Sequence, residues 1–283
     1  MKTPKRIQTL VDEGLIDEVM RQLMSGKEAT VYVVRCGDEI RCAKVYKEAN
    51  ERSFHQAVAY QEGRRVKNSR QARAMEKGTR YGRKMAEEVW QNAEVDALYR
   101  LAAAGVRVPT PYICFEGVLL MELLTDADGN AAPRLNDFPL DYKSALAFHA
   151  AILHQVVLML CAGVIHGDLS EYNILVDAHG PVIIDLPQAI DAAGSSVAAS
   201  MLERDVRNLA NFFGTHAPEL LESQYGAEIW NLYEAGLLTP ETPLTGWVAP
   251  PDAPADVGAV LREIALARQE EADRLLCQAG ADA

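Results

Sequence analysis

Three side chains bearing hard oxygen atoms lie close together in IHGDLSEYNILVDAHGPVIIDLP, the segment 165–187: Asp168, Asn173 and Asp185. Carboxylate and amide oxygens suit a hard divalent cation, and a carboxylate that is not a ligand can accept a proton. Turn capping is the ordinary alternative for Asp and Asn around a hairpin. Lys44 sits mid-strand in EIRCAKVYK with Ile40, Cys42 and Tyr46 on its face, a setting in which lysine either snorkels at an edge or points into a site. Glu94 shares a helical stripe with Trp90, Ala97 and Leu101. An unpaired acid on a face expected to be buried is costly, and Lys44 is its natural counter-ion.

The elements that must position these groups are legible from periodicity. Residues 5–24 place Ile7, Leu10, Val11, Leu15, Ile16, Val19, Met20 and Leu23 at helix-like spacing, which predicts one or two short amphipathic helices broken near Gly14. TVYVVR and EIRCAKVYK predict a hairpin turning at Cys36-Gly37-Asp38, and YICFEGVLLMELL a second around Glu116-Gly117. A helix over about 85–103 stops at Gly105, and NILVDAHGPVIID forms a third hairpin at Ala178-His179-Gly180. Met201–Phe213 reads as a helix with Met201, Val206, Leu209, Ala210 and Phe213 toward a core.

With 283 residues and 49% hydrophobic content, the chain is long enough for two lobes around a cleft. Its net charge of −12 argues against an undifferentiated nucleic-acid binder. The charge is nevertheless uneven: residues 52–84 hold ten Lys/Arg against Glu62 and Glu76, a net of +8, which leaves −20 on the remainder. Five cysteines without a C-x-x-C pair suggest reduced core residues of a cytoplasmic protein. The N-terminus acquires acidic residues before any apolar run of signal-peptide type. Residues 145–165 carry no formal charge over 21 positions, long enough for a membrane span, but His149, His154 and Gln155 favour a helix buried at the centre of a lobe; no membrane partner is expected.

Two suggestive motifs fail on spacing. Gly26-Lys27 lacks the Walker A glycine, Arg21 standing in its place, and has Glu28 where Ser or Thr belongs. DADGN at 126–130 imitates a calcium loop, but the sharp-turn position is Ala131 rather than glycine, so a surface turn is expected.

In order along the chain, a strand Lys, a helical Glu some fifty residues later, D-x-x-x-x-N (Asp168 to Asn173) and a strand-ending Asp185 resemble the parts of the protein-kinase fold. More specifically, SGKEATVY, HGDLSEYNIL, IIDLPQA and RDVRNLANFF resemble the RIO-type atypical protein kinases, from about Ile7 to Phe213. The 24 leading residues leave no room for a winged-helix domain, so the likeness is to the branch with a helical N-terminal extension. The resemblance implies an α+β, two-lobed fold with a small β-rich N-lobe, a helical C-lobe and a reduced activation segment. Its expected layout is a helical brace over 1–24, an N-lobe over 25–123 with the basic insert 52–84, a C-lobe over 124–216 and a helical extension over 217–283.

The same resemblance implies an ATP- and Mg2+-dependent serine/threonine protein kinase or ATPase with an aspartyl-phosphate intermediate on Asp185. Asn173 and Asp185 would hold the metal, and Asp168 would be the catalytic base. Lys44, oriented by Glu94, would bind phosphates under the backbone of Ser25, Gly26, Lys27, Glu28 and Ala29. Met121, Glu122 and Leu123 would present backbone groups to adenine. Gly167 replaces the Arg that reads activation-loop phosphate in ordinary kinases, so switching by that route is not expected. Ala217-Pro218-Glu219 reads as a chance match to the motif that closes an activation segment. Two alternatives remain: a small-molecule kinase of the aminoglycoside or choline type, and an ATP-gated switch for a ribonucleoprotein partner. Residues 52–84 are either a solvated loop or a patch for RNA or an acidic partner, with Tyr60 and Tyr81 available to stack. The protein acceptor is unknown at this level.

Overall fold

β-Branched and aromatic residues crowd the stretch from Thr30 to Tyr46, and it folds as the expected hairpin, β2 (Ala29–Cys36) with β3 (Glu39–Tyr46), in unbroken antiparallel register. This is a computed structural model, and it describes residues 4–47 and 93–248; those up to Trp247 form one compact unit. Around the hairpin, β1 (Glu18–Ser25), β4 (Pro111–Phe115) and β5 (Val118–Glu122) complete a five-stranded sheet in the order β1-β2-β3-β5-β4. The tight β4–β5 connection puts both Glu116 and Gly117 at positive φ, the backbone twist a two-residue hairpin requires.

Alternation along β3 assigns its faces. Ala43 and Val45 pack with Val34, Val118 and Leu120 under α1 (Lys5–Asp12), which contributes Ile7 and Leu10. Cys42, Lys44 and Tyr46 therefore face the other way, toward the rest of the molecule. The helix over 93–103, α2, packs there through Val95, Leu98 and Leu101.

Residues 18–25 correct the expected helical brace over 1–24: only the α1 portion is helical, and the second half is strand β1. The ladder to β2 slips between Val19 and Arg21 and again between Gln22 and Met24. Those irregularities break the two-residue alternation of a strand, so Leu15, Ile16, Val19, Met20 and Leu23 fall at a spacing that imitates a helix.

The second half is helical around a small β hairpin. The uncharged segment forms α3 (Tyr142–Cys161), opened by a capping box between Asp141 and Ser144. It is long and apolar enough by composition to cross a membrane, but Ala145, Ile152, Leu153, Val156, Val157, Met159 and Leu160 are buried in the main core. After it come β6 (Val164–Ile165), β7 (Ile174–Asp177), β8 (Gly180–Ile183) and β9 (Ile190–Asp191), with β6 pairing β9 and β7 pairing β8. Then α4 (Ala198–Gly214) and α5 (Tyr225–Glu234) pack on α3. Ala217-Pro218-Glu219 leads a 3-10 turn against the end of α4, with Ala217 buried and Glu219 bonded to the Tyr142 hydroxyl. DADGN is a surface turn in which Asp126 Oδ1 accepts from the backbone N–H of Asp128 and Asn130. The basic segment 52–84, the expected helix start near Met85, and the chain beyond Val248 lie outside the described residues.

Candidate active site

Three charged groups far apart in sequence meet between the sheet and the helical half. Lys44 Nζ lies 2.5 Å from Glu94 Oε1 and 2.9 Å from Asp185 Oδ1. Glu94 is only 4% exposed, and α2 fixes it through its buried neighbours on the same helix. Burial alone would discharge Lys44, but the carboxylates of Glu94 and Asp185 outweigh that and hold its ammonium above the ordinary lysine range. Tyr46, two residues on and on the same face, places its ring 5.6 Å from the ammonium.

Asp185 follows β8 with φ of +66°, a left-handed conformation that Asp tolerates better than most residues. Its side chain is 43% exposed. Burial would raise its pKa, yet Lys44 holds the carboxyl below the usual range, so it is ionised. Oδ1 faces Lys44, and among the described residues no hydrogen bond claims the second oxygen. Asn173 donates Nδ2 to the Asp168 carbonyl at 2.8 Å, which leaves its Oδ1 as the outward atom. A carboxylate oxygen and an amide oxygen of this kind are fitting ligands for Mg2+.

The loop between β6 and β7 is held from beneath by α4. Asp205, 2% exposed, accepts the Gly167 N–H on Oδ2 at 2.7 Å and the Leu169 N–H on Oδ1 at 3.2 Å. Arg204 bonds the Gly167 carbonyl, and Asn208 Nδ2 donates to the Leu169 carbonyl at 3.1 Å. His166, buried and depressed in pKa by that burial, bridges Ile184 O and the Asp168 N–H. Asp168 is thus an exposed carboxylate on a backbone clamped on both sides. Gly167 has φ of +80°, and an added Cβ would stand 2.5 Å from the Gln188 carbonyl and from Met201, so no larger residue fits there unmoved.

Asp205, Arg204, Asn208 and His166 escaped the sequence reading. The signal for Asp205 was available: it lies beside Leu202, Val206 and Leu209 on the buried stripe of α4, the kind of misplaced charge that singled out Glu94.

The turn from Ser25 to Ala29 closes between β1 and β2 through a Gly26 N–H to Ala29 O bond of 2.9 Å, and Lys47 Nζ reaches the Gly26 carbonyl at 2.7 Å. Lys27 is exposed and Glu28 half-buried on this turn. At the end of β5, Met121 is partly buried against the core, while the Glu122 N–H donates to Thr110 O at 2.9 Å and is committed within the sheet edge. Leu123 follows directly.

Comparison with known proteins adds an independent line. The RIO domain family model matches residues 30–225. The RIO-type serine/threonine-protein kinase Rio1 of Haloferax volcanii is 34% identical over 209 residues, covering 73% of this chain and 67% of that protein. Serine/threonine-protein kinase rio1 of Schizosaccharomyces pombe is 29% identical over 212 residues, covering 72% of this chain but 40% of that protein. Among solved structures, the Rio2 kinase–ADP/Mg2+–phosphoaspartate complex from Chaetomium thermophilum superposes with a TM-score of 0.52 at 20% identity, over 77% of this chain and 66% of that one.

Proposed function

This chain belongs to the RIO domain family; we propose that, like its serine/threonine-protein-kinase relatives, it is an ATP- and Mg2+-dependent phosphotransferase in which Asp168 is the base and Asn173 and Asp185 hold the metal. The observation that supports the site assignment best is the meeting of Lys44, Glu94 and Asp185 at 2.5 and 2.9 Å. Bound magnesium neutralises phosphate charge and aligns the terminal phosphoryl group. Lys44, kept charged by Glu94, faces the phosphates. Asp168 orients an acceptor hydroxyl and takes its proton as the phosphoryl group transfers. The turn from Ser25 to Ala29 covers the phosphates, and Met121 to Leu123 border the base.

Within this scheme a carboxylate oxygen of Asp185 also acts as the nucleophile of a slower reaction. It attacks the terminal phosphorus, ADP leaves, and water later hydrolyses the aspartyl phosphate. Acid-quenched protein should then carry label from terminally labelled ATP that hydroxylamine removes, and Asp185→Ala should carry none. Label that survives hydroxylamine sinks the aspartyl-phosphate step but not the kinase assignment. The acceptor class follows from offering labelled ATP with a basic protein, aminoglycosides and choline; efficient labelling of a small molecule alone overturns the protein-kinase reading.

A partner role for residues 52–84 rests on their +8 charge in an otherwise acidic chain. RNA binding through this segment should fall steeply with salt, by about 0.7 to 0.9 in log-log slope per neutralised phosphate. Reversal of Arg64, Arg65, Lys67 and Arg70 to Glu should remove it without touching ATP turnover. Salt-insensitive binding removes the case for RNA, and a pull-down with and without ATP tests the ribonucleoprotein switch.

A further inference from the structure

The floor of the cleft carries a cation that none of the assignments above uses. Arg134 precedes the buried Leu135, and its backbone is fixed beside β7: Arg134 bridges Leu175, and the Val176 N–H donates to Pro133 O at 2.9 Å. Leu175 is two residues beyond Asn173, so this backbone adjoins the metal loop. The side chain crosses to the opposite wall, where Nη2 meets the sulfur of Met24 at 3.1 Å. Met24 immediately precedes Ser25, the first residue of the phosphate turn.

That contact is a poor match for a guanidinium. A thioether is a weak acceptor, whereas arginine's planar fork fits carboxylate and phosphate oxygens. Among the described residues Arg134 has no carboxylate within ion-pair distance, in contrast to Arg35, Arg41, Arg100 and Arg107. Its charge also reaches Asp185, where it helps, after Lys44 and His166, to favour the ionised carboxyl. Among the described residues, then, this half-buried cation spans from the metal loop to the phosphate turn and meets there a thioether sulfur, an acceptor poorly matched to it.

We propose that Arg134 is a further nucleotide contact, exchanging the Met24 sulfur for a phosphate oxygen of ATP when the nucleotide enters. The inference rests on the ATP-dependent reading of the site and adds a further cation beside Lys44 to the phosphate path. It makes Arg134 a determinant of affinity for phosphorylated nucleosides rather than for the base.

Calorimetric titration of the full chain with ATP, ADP and adenosine in excess Mg2+ tests it. Arg134→Met keeps the length and apolar stem of the side chain and removes its charge. ATP and ADP affinity should fall about ten- to hundredfold, the range for a lost charge-assisted hydrogen bond, with adenosine affinity unchanged. Arg134→Lys should recover part of the loss, because a point charge replaces a fork. Unchanged ATP affinity in Arg134→Met overturns the proposal, and so does an equal loss for adenosine, which places the side chain against the base or ribose. Parent protein that binds no ATP overturns the underlying reading instead, and the Lys44→Met control separates the two by losing ATP affinity independently of Arg134.

Discussion

Replacing Asp205 should damage turnover far more than nucleotide binding, although its carboxylate serves only as an internal anchor. It accepts two backbone N–H groups at 2.7 and 3.2 Å, one on each side of Asp168, in a site 2% exposed. In Asp205→Ala both donors lose their partner. A buried unsatisfied donor costs about 1–3 kcal/mol, so the gross loss is about 2–6 kcal/mol. The net loss is smaller, because burying the carboxylate is itself unfavourable: burial pushes its pKa up to about 7 against the two N–H bonds that lower it. A carboxyl raised in the folded state contributes fully below its unfolded value near 4 and progressively less as the pH climbs to about 7. The stability difference between parent and Asp205→Asn should therefore shrink across that window, since Asn keeps one acceptor and no charge. With both flanks of Asp168 freed, a displacement of about 1 Å is enough to cost roughly a hundredfold in turnover. Urea unfolding, nucleotide titration and single-turnover phosphoryl transfer measure the three quantities. Asp205→Ala should lose turnover about a hundredfold with ATP affinity within about twofold of the parent, and Asp205→Asn should fall between. Turnover within threefold of the parent, or a loss of affinity that matches the loss of turnover, refutes the reasoning.

Three further outcomes follow from the same geometry. Among the described residues Glu94→Gln leaves Lys44 with Asp185 as its one charged partner, so the Mg2+ concentration for half-maximal turnover should rise several-fold; an unchanged magnesium titration argues that Glu94 does not govern Lys44. Asp168→Ala should retain ATP binding and lose transfer to a protein acceptor by about two to four orders of magnitude, as read by labelled ATP, since base catalysis and acceptor positioning go together. His149 is buried between Phe213 and Tyr225, its Nε2 has no hydrogen-bond partner among the described residues, and burial lowers its pKa to about 4. The unfolded chain takes up that proton near pH 6.5 and the folded one only near 4, so stability falls as pH drops through the window, by about 3 kcal/mol at its lower end; His149→Leu should flatten that slope in pH-dependent urea unfolding.

Much of the site was legible because charge in an apolar pattern needs a reason. Lys44 and Glu94 each interrupt a stripe that periodicity marks as buried, and the structure pairs them at 2.5 Å. The three hairpins were legible for a local reason, since Gly37, Glu116-Gly117 and Gly180 occur where positive φ is needed. β1 was not, because two register slips erase its alternation while Val19, Met20 and Leu23 mimic a helix. The clamp by Arg204, Asp205 and Asn208 was not read either: it joins residues about 37 apart through backbone groups, which have no signature in side-chain spacing.

The cleft has unequal walls, and this bears on which of its parts must move. Asp168 is carried by a loop tied to α4 by four hydrogen bonds and to Ile184 through His166. The opposite wall is the end of β1, an exposed edge strand with two irregularities, whose tie to the floor is the bond from Arg134 to Met24. Local opening is easiest where buried apolar contacts are few, so nucleotide entry should displace the phosphate turn and leave the base loop in place. Lys44 links the two walls, because it shares its charge between Glu94 and Asp185. A cation arriving at Asp185 competes with that ammonium, and phosphate oxygens give Lys44 a new partner as the old one is taken. Metal and nucleotide should therefore bind with positive coupling, each weakening the contact that opposes the other. ATP affinity measured with and without magnesium, in the parent and in Asp185→Asn, gives that coupling directly, and it should vanish in the variant.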